Sequence, residues 1–177
     1  MSKSVVVLAV PHQLQGPKSV GYVPDSAYSL LVEDRIRKGV NFVFEEAAGL
    51  RPTTAENLAT LVLGPGHYLD IDPPREERPK YGIAESPGGT CLLGDPIPGF
   101  PPDSYDWTIV EEQGRREKLW LQRMQDQPFE KGLVICGLGH NLSFAFRVLA
   151  AGIGVTTAYS YIPHHKLCNH TLFKSSS

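Results

Sequence analysis

The chain opens on an unbroken apolar run from Val5 to Val10. A run of this length, rich in valine, suits a strand covered on both faces, because a strand with one wet face would alternate with polar residues. The period then changes. From Ala27 to Lys38, apolar Ala27, Leu30, Leu31 and Ile36 fall on one side of a helix, with Asp25 or Ser26 placed to cap it and Gly39 to stop it. Val40 to Phe44 returns to a short strand pattern, ended by Glu45 and Glu46.

Thr53 and Glu56 make a capping box ahead of a second helix that ends at Gly64-Pro-Gly66, and His67 to Ile71 reads as a third strand. Pro73 to Gly82 predicts a short charged helix begun by proline. Residues 86–102 are dominated by glycine and proline and predict one long loop over the domain. A long helix over 106–125 carries Trp107, Val110, Leu119, Trp120 and Met124 on its apolar side. The strand Gly132 to Cys136, a helix from Asn141 to Ala151 and the strand Val155 to Ser160 follow. This alternation predicts an α/β fold over residues 1–177: one domain, with a mainly parallel open sheet of about five strands and helices on both faces.

Composition narrows the function classes. A chain of 177 residues can bury about 70% of its unfolded-chain surface, so it needs no disulfide or structural metal to fold. The formal net charge of -2, without a dense Lys/Arg stripe, gives no reason to expect nucleic acid. No segment is long enough to span a membrane, and the first apolar run is too short for a secretory signal. Cys91, Cys136 and Cys168 lack framework spacing and read as reduced thiols, which favours the cytoplasm. The expected partner is a small-molecule or peptide substrate, and a homodimer is left open.

In an open parallel sheet, ligand sites gather at the carboxyl ends of the strands. His12 follows the first predicted strand, Glu45 and Glu46 the second, Asp72 the third, His140 the Gly132–Cys136 strand, and Tyr161 and His164 the last. Histidines and carboxylates on one rim suit a divalent metal such as zinc or manganese, with His12, Glu45 and His140 as ligands, and equally suit general acid–base chemistry. Side-chain alternation turns at most one of Glu45 and Glu46 toward a given face. Asp72, ahead of Pro73, reads equally as a helix cap.

Gly137-Leu-Gly-His-Asn-Leu-Ser143 has the order of a dinucleotide fingerprint, strand then glycine turn then helix. No Asp or Glu occurs after Glu130, so the acid expected to bind the ribose is missing. Gly137, Gly139, Asn141 and Ser143 remain as an anion-binding turn at a helix N-terminus. As nucleophiles, Cys136 is expected to be buried and inert, and Ser143 to serve as a cap. Gly64-Pro-Gly-His67 precedes a strand and reads as a loop. His164, His165, Cys168 and His170 include soft metal ligands but no second partner pair.

Together these motifs resemble those of the clan that unites TraB/TIKI-type metalloproteases, ChaN-like haem-binding proteins and erythromycin-esterase-like hydrolases. "VICGLGH" is similar to the clan's second Gly-x-x-His motif through Gly137 and His140, and "VNFVFEEA" to the strand that delivers its glutamate. "QGRREKLWLQRMQ" resembles its arginine-bearing helix through Arg115 or Arg116, and "VVVLAVPH" its first motif, with Ala9 in place of glycine. The likeness covers residues 4–46 and about 107–152. It implies metal-assisted or His/Glu-assisted hydrolysis, in which His12, His140 and Glu45 or Glu46 hold a metal or activate water and Arg116 orients a substrate anion. The haem-binding relatives imply the alternative, a protein that holds haem, a metal or a small metabolite without catalysis.

Overall fold

A computed structural model describes residues 2–19, 21–47, 49–72, 107–162 and 168–169. The expected short helix over 73–82, the loop over 86–102, Cys91, His164, His165 and His170 lie outside these residues. So do the side chains of Trp107, Val110 and Cys168.

The first apolar run is strand β1 (Ser4–Val10), followed by helix α1 (Ser26–Arg37), β2 (Phe42–Glu45), α2 (Thr54–Leu63) and β3 (Tyr68–Asp70). Helix α3 (Trp107–Gln125), β4 (Lys131–Gly137), α4 (Asn141–Ala150), β5 (Gly154–Ser160) and the short β6 (Cys168–Asn169) complete the order. The sheet runs β3-β2-β4-β1-β5-β6, parallel from β3 through β5, with β6 antiparallel on β5. The protein is thus an α/β fold with a mainly parallel sheet. Strand β6 went unread because two residues carry no period.

Strand alternation sorts the core into two layers. Val5, Val7 and Ala9 of β1 pack with Trp120 and Met124 of α3 and Phe144, Ala145 and Val148 of α4. Val6, Leu8 and Val10 face the other way, against Tyr28, Val32 and Ile36 of α1 and Ala55 and Ala59 of α2. The helices therefore cover both faces, which is why β1 carries no polar alternation.

The buried face of α1 differs from the one its sequence predicts. Tyr28, Val32 and Ile36, four residues apart, are buried, whereas Ala27 is exposed, Leu31 is half-buried and Leu30 is 64% exposed. A stripe of every fourth residue suffices because a small domain rarely covers every apolar side chain. Asp25 caps this helix by accepting the Tyr28 N–H at 2.9 Å, and Gly39 leaves it with φ 94°, where a side chain would be strained. In α2, Thr53 Oγ1 accepts the Glu56 N–H at 3.1 Å, and the Glu56 carboxylate pairs with Arg51. Among the described residues no helix is long and apolar enough to cross a membrane.

The strand order matters most for function. With β4 between β2 and β1, Glu45 lies beside Ile135, and Val10 beside Gly137. The residues that follow these strands, Glu46, His12 and His140, therefore leave the sheet at one rim.

Candidate functional site

Glu46 stands at the centre of that rim, 1% exposed. Its Oε2 accepts the Gly137 N–H at 2.7 Å, and its Oε1 accepts Arg116 Nη2 at 2.6 Å. His12 and His140 bring their Nε2 atoms to 3.8 Å and 4.0 Å from that same Oε1. Arg116 also donates through Nε to Asp72 Oδ1 at 2.7 Å, an oxygen that accepts Trp120 Nε1 at 3.2 Å. The Trp120 ring meets His140 edge-on at 4.7 Å and lies 5.1 Å beneath the Arg116 guanidinium.

His12 opens a single 3₁₀ turn, and its Nδ1 lies 2.6 Å from Gln15 Oε1. Gln15 is fully buried and donates through Nε2 to the Glu46 carbonyl at 2.9 Å. That bond commits the amide nitrogen, so the amide oxygen faces His12 and Nδ1 must be the protonated ring nitrogen. The neutral ring then presents an Nε2 lone pair toward Glu46. Close approach explains Gly137, whose φ of -63° demands no glycine. A Cβ added there would sit 2.9 Å from His12 Nε2 and 3.3 Å from Glu46 Oε2.

His140 is held from behind. Its Nδ1 lies 2.9 Å from Glu117 Oε1, which also accepts the Ser143 hydroxyl at 2.6 Å, while Glu117 Oε2 accepts Arg147 Nε at 3.2 Å. Sequence reasoning missed Glu117 and Gln15. For Glu117 a signal was present, since residues 117, 120 and 124 are spaced as one helical stripe with Trp120 and Met124. Gln15 carries no comparable signal.

Burial alone would raise the Glu46 pKa; Arg116, His140, His12 and the Gly137 N–H outweigh it and hold the carboxyl below its ordinary value of 4.5. Glu45 behaves in the opposite way and corrects its expected place among the ligands and catalytic groups. It faces α2, fully buried, where its Oε2 accepts the Tyr68 hydroxyl at 2.9 Å and the Thr53 hydroxyl. Burial, only partly offset by these bonds, pushes its pKa up to about 7.

A carboxyl that binds its proton more tightly when folded lends stability that is full below the unfolded pKa of 4.5 and is lost as pH rises through about 7. Glu45→Gln keeps an acceptor for Thr53 and Tyr68 but cannot ionise. Its melting temperature is expected to stay near that of the wild type at pH 5 and exceed it at pH 8. An equal difference at both pH values would show that Glu45 does not titrate in this range.

The remaining predicted residues scatter. Arg115 is exposed and lines a surface hollow with Gly114, Lys118 and Arg147, so the arginine in the site is Arg116. In the glycine turn the Gly137 N–H is bound to Glu46, Asn141 Nδ2 donates to Ser160 Oγ at 2.8 Å, and Ser143 serves Glu117 rather than capping a helix, so these three groups are committed within the protein. Gly139 lies within the 3₁₀ turn that delivers His140. Asp72 belongs to the site through Arg116 and Trp120. Tyr161 bonds Asp25, His67 bonds the Asn41 carbonyl at the far end of the sheet, and burial pushes the Cys136 thiol up, away from reactivity. Among the described residues no group of three His, Cys, Asp or Glu side chains is arranged to hold a metal ion.

No family model matches the chain, and neither a curated protein nor a solved structure does.

Proposed function

We propose that the chain is a hydrolase in which His12 activates a water molecule beside Glu46 and Arg116, acting on a carboxylic ester or amide of a small molecule or peptide. One observation carries this reading: two imidazole Nε2 atoms converge on a single carboxylate oxygen, at 3.8 Å and 4.0 Å, and one of the two rings is open to solvent. His12, with 45% of its side chain exposed, is the ring a substrate can reach; His140 is 7% exposed. In the proposed step the water oxygen bonds to the acyl carbon and its proton passes to His12 Nε2. The carbonyl electron pair moves onto oxygen and returns as the leaving group departs, taking the proton from His12. Glu46, held ionised by Arg116, stabilises the imidazolium between the two transfers. The motifs that resemble the esterase and metalloprotease clan support the same reaction class.

A divalent ion fits this arrangement poorly. The oxygen nearest both imidazoles already accepts Arg116 at 2.6 Å, so an ion on it would face a permanent positive charge. The test is turnover of a panel of chromogenic carboxylic esters, with and without a chelator. Hydrolysis that persists undiminished in chelator is expected. Loss that zinc or manganese restores would overturn the metal-free form, and no turnover of any ester, with binding of haem or a metabolite instead, would favour the non-catalytic alternative.

A further inference from the structure

We propose that Glu117 is the positioning residue for His140, holding its ring as the Nδ1–H tautomer so that the Nε2 lone pair faces Glu46. For its catalytic meaning the inference rests on the hydrolase reading; its structural content does not. Glu117 projects from α3 and is 1% exposed. His140, Ser143 and Arg147 all bond it from the start and inner face of α4, at 2.9, 2.6 and 3.2 Å. An interhelical ion pair would need only Arg147. An ionised carboxylate can only accept, so the His140 nitrogen facing it must carry the hydrogen. Trp120, edge-on at 4.7 Å, packs against the same ring. The consequence at the other end is a second Nε2 lone pair facing Glu46 Oε1, at 4.0 Å.

Glu117→Gln separates positioning from packing, because the bonding pattern dictates how the amide sits. Arg147 can only donate, so the amide oxygen takes the place of Oε2 and the NH₂ group takes that of Oε1. The NH₂ group then donates to His140 Nδ1, which must give up its hydrogen, and the Ser143 hydroxyl turns to accept. The ring becomes the Nε2–H tautomer and presents a donor where the wild type presents a lone pair.

The test is long-range ¹H–¹⁵N spectroscopy of the protein labelled with ¹⁵N-histidine, recorded where the imidazoles are neutral, with the His140 signals assigned by their loss in His140→Gln. Nδ1–H is expected in the wild type and in Ser143→Ala, and Nε2–H in Glu117→Gln. Nε2–H in the wild type, or an unchanged tautomer in Glu117→Gln, would overturn the proposal. Should Glu117→Gln fail to fold, the wild-type and Ser143→Ala spectra decide. In the ester assay the same variant is expected to lose kcat by on the order of 10²-fold with little change in KM. Because the tautomer is read without substrate, an Nδ1–H His140 in a protein that turns over no ester would sink the hydrolase reading and leave the role of Glu117 standing.

Discussion

His12→Ala is expected to lower kcat/KM for the proposed ester hydrolysis by about 10²–10⁴-fold, the range that a positioned general base supplies, while its melting temperature stays within a few degrees of the wild type. The two halves of this result have separate causes. The ring is 45% exposed and held mainly by one bond, from Nδ1 to Gln15, so removing it buries no new charge and opens no sealed cavity. Water can reach the Gln15 amide oxygen once the ring is gone. What disappears is the solvent-facing lone pair beside Glu46. His140→Ala is the contrasting variant. It too is expected to lose activity, and because it leaves Glu117 short of a donor and a void against Trp120, its melting temperature is expected to fall as well. Steady-state kinetics and thermal melts on the two variants check this. Wild-type activity in His12→Ala would remove the base from the mechanism.

How far the sequence revealed this site can be followed residue by residue. The apolar run of β1 revealed a strand covered on both faces, and the positions after the strands placed His12, Glu46, Asp72 and His140 at the rim. The choice between Glu45 and Glu46 required something more. Phe44 packs with the α3 and α4 layer and Val43 with the α1 and α2 layer, so Glu45 follows Val43 toward α2 and Glu46 turns toward α3. Alternation separated the two glutamates, but which helices cover which face depends on tertiary packing that no local period encodes. The motif match alone left Arg115 beside Arg116 for the same reason, although a shift of one residue on a helix turns the side chain by about 100°. Glu117 was hidden more deeply. Buried charges are rare, and only the donors of α4, brought in by folding, make its burial tolerable.

Arg116→Ala is expected to destabilise the protein at pH 7 by about 3–5 kcal/mol, the usual cost of removing one partner from a buried ionic network. The guanidinium is the cation that bonds both Glu46, at 2.6 Å, and Asp72, at 2.7 Å, and these carboxylate side chains are 1% and 0% exposed. Its own side chain is only 21% exposed, so solvent screens the pairs weakly. For a chain of this length the loss corresponds to on the order of 10 °C in melting temperature. The deficit has a pH signature. Because the Glu46 pKa is lowered on folding, its stabilising contribution is present above the unfolded value of 4.5 and is lost as pH falls through the folded one. The gap between wild type and Arg116→Ala therefore narrows as the solution is acidified below 4.5. Glu46→Gln in the Arg116→Ala background should recover part of the loss by removing one uncompensated charge, a coupling that a double-mutant cycle measures directly. Arg116→Lys should fall between, since a single ammonium cannot reproduce the fork that spans two carboxylates. A melting temperature for Arg116→Ala within 2 °C of the wild type at pH 7, the order of a single kcal/mol, would mean that Glu46 does not depend on Arg116 for its charge. The ionised Glu46 that the proposed chemistry requires would then be held by the Gly137 N–H rather than by the guanidinium.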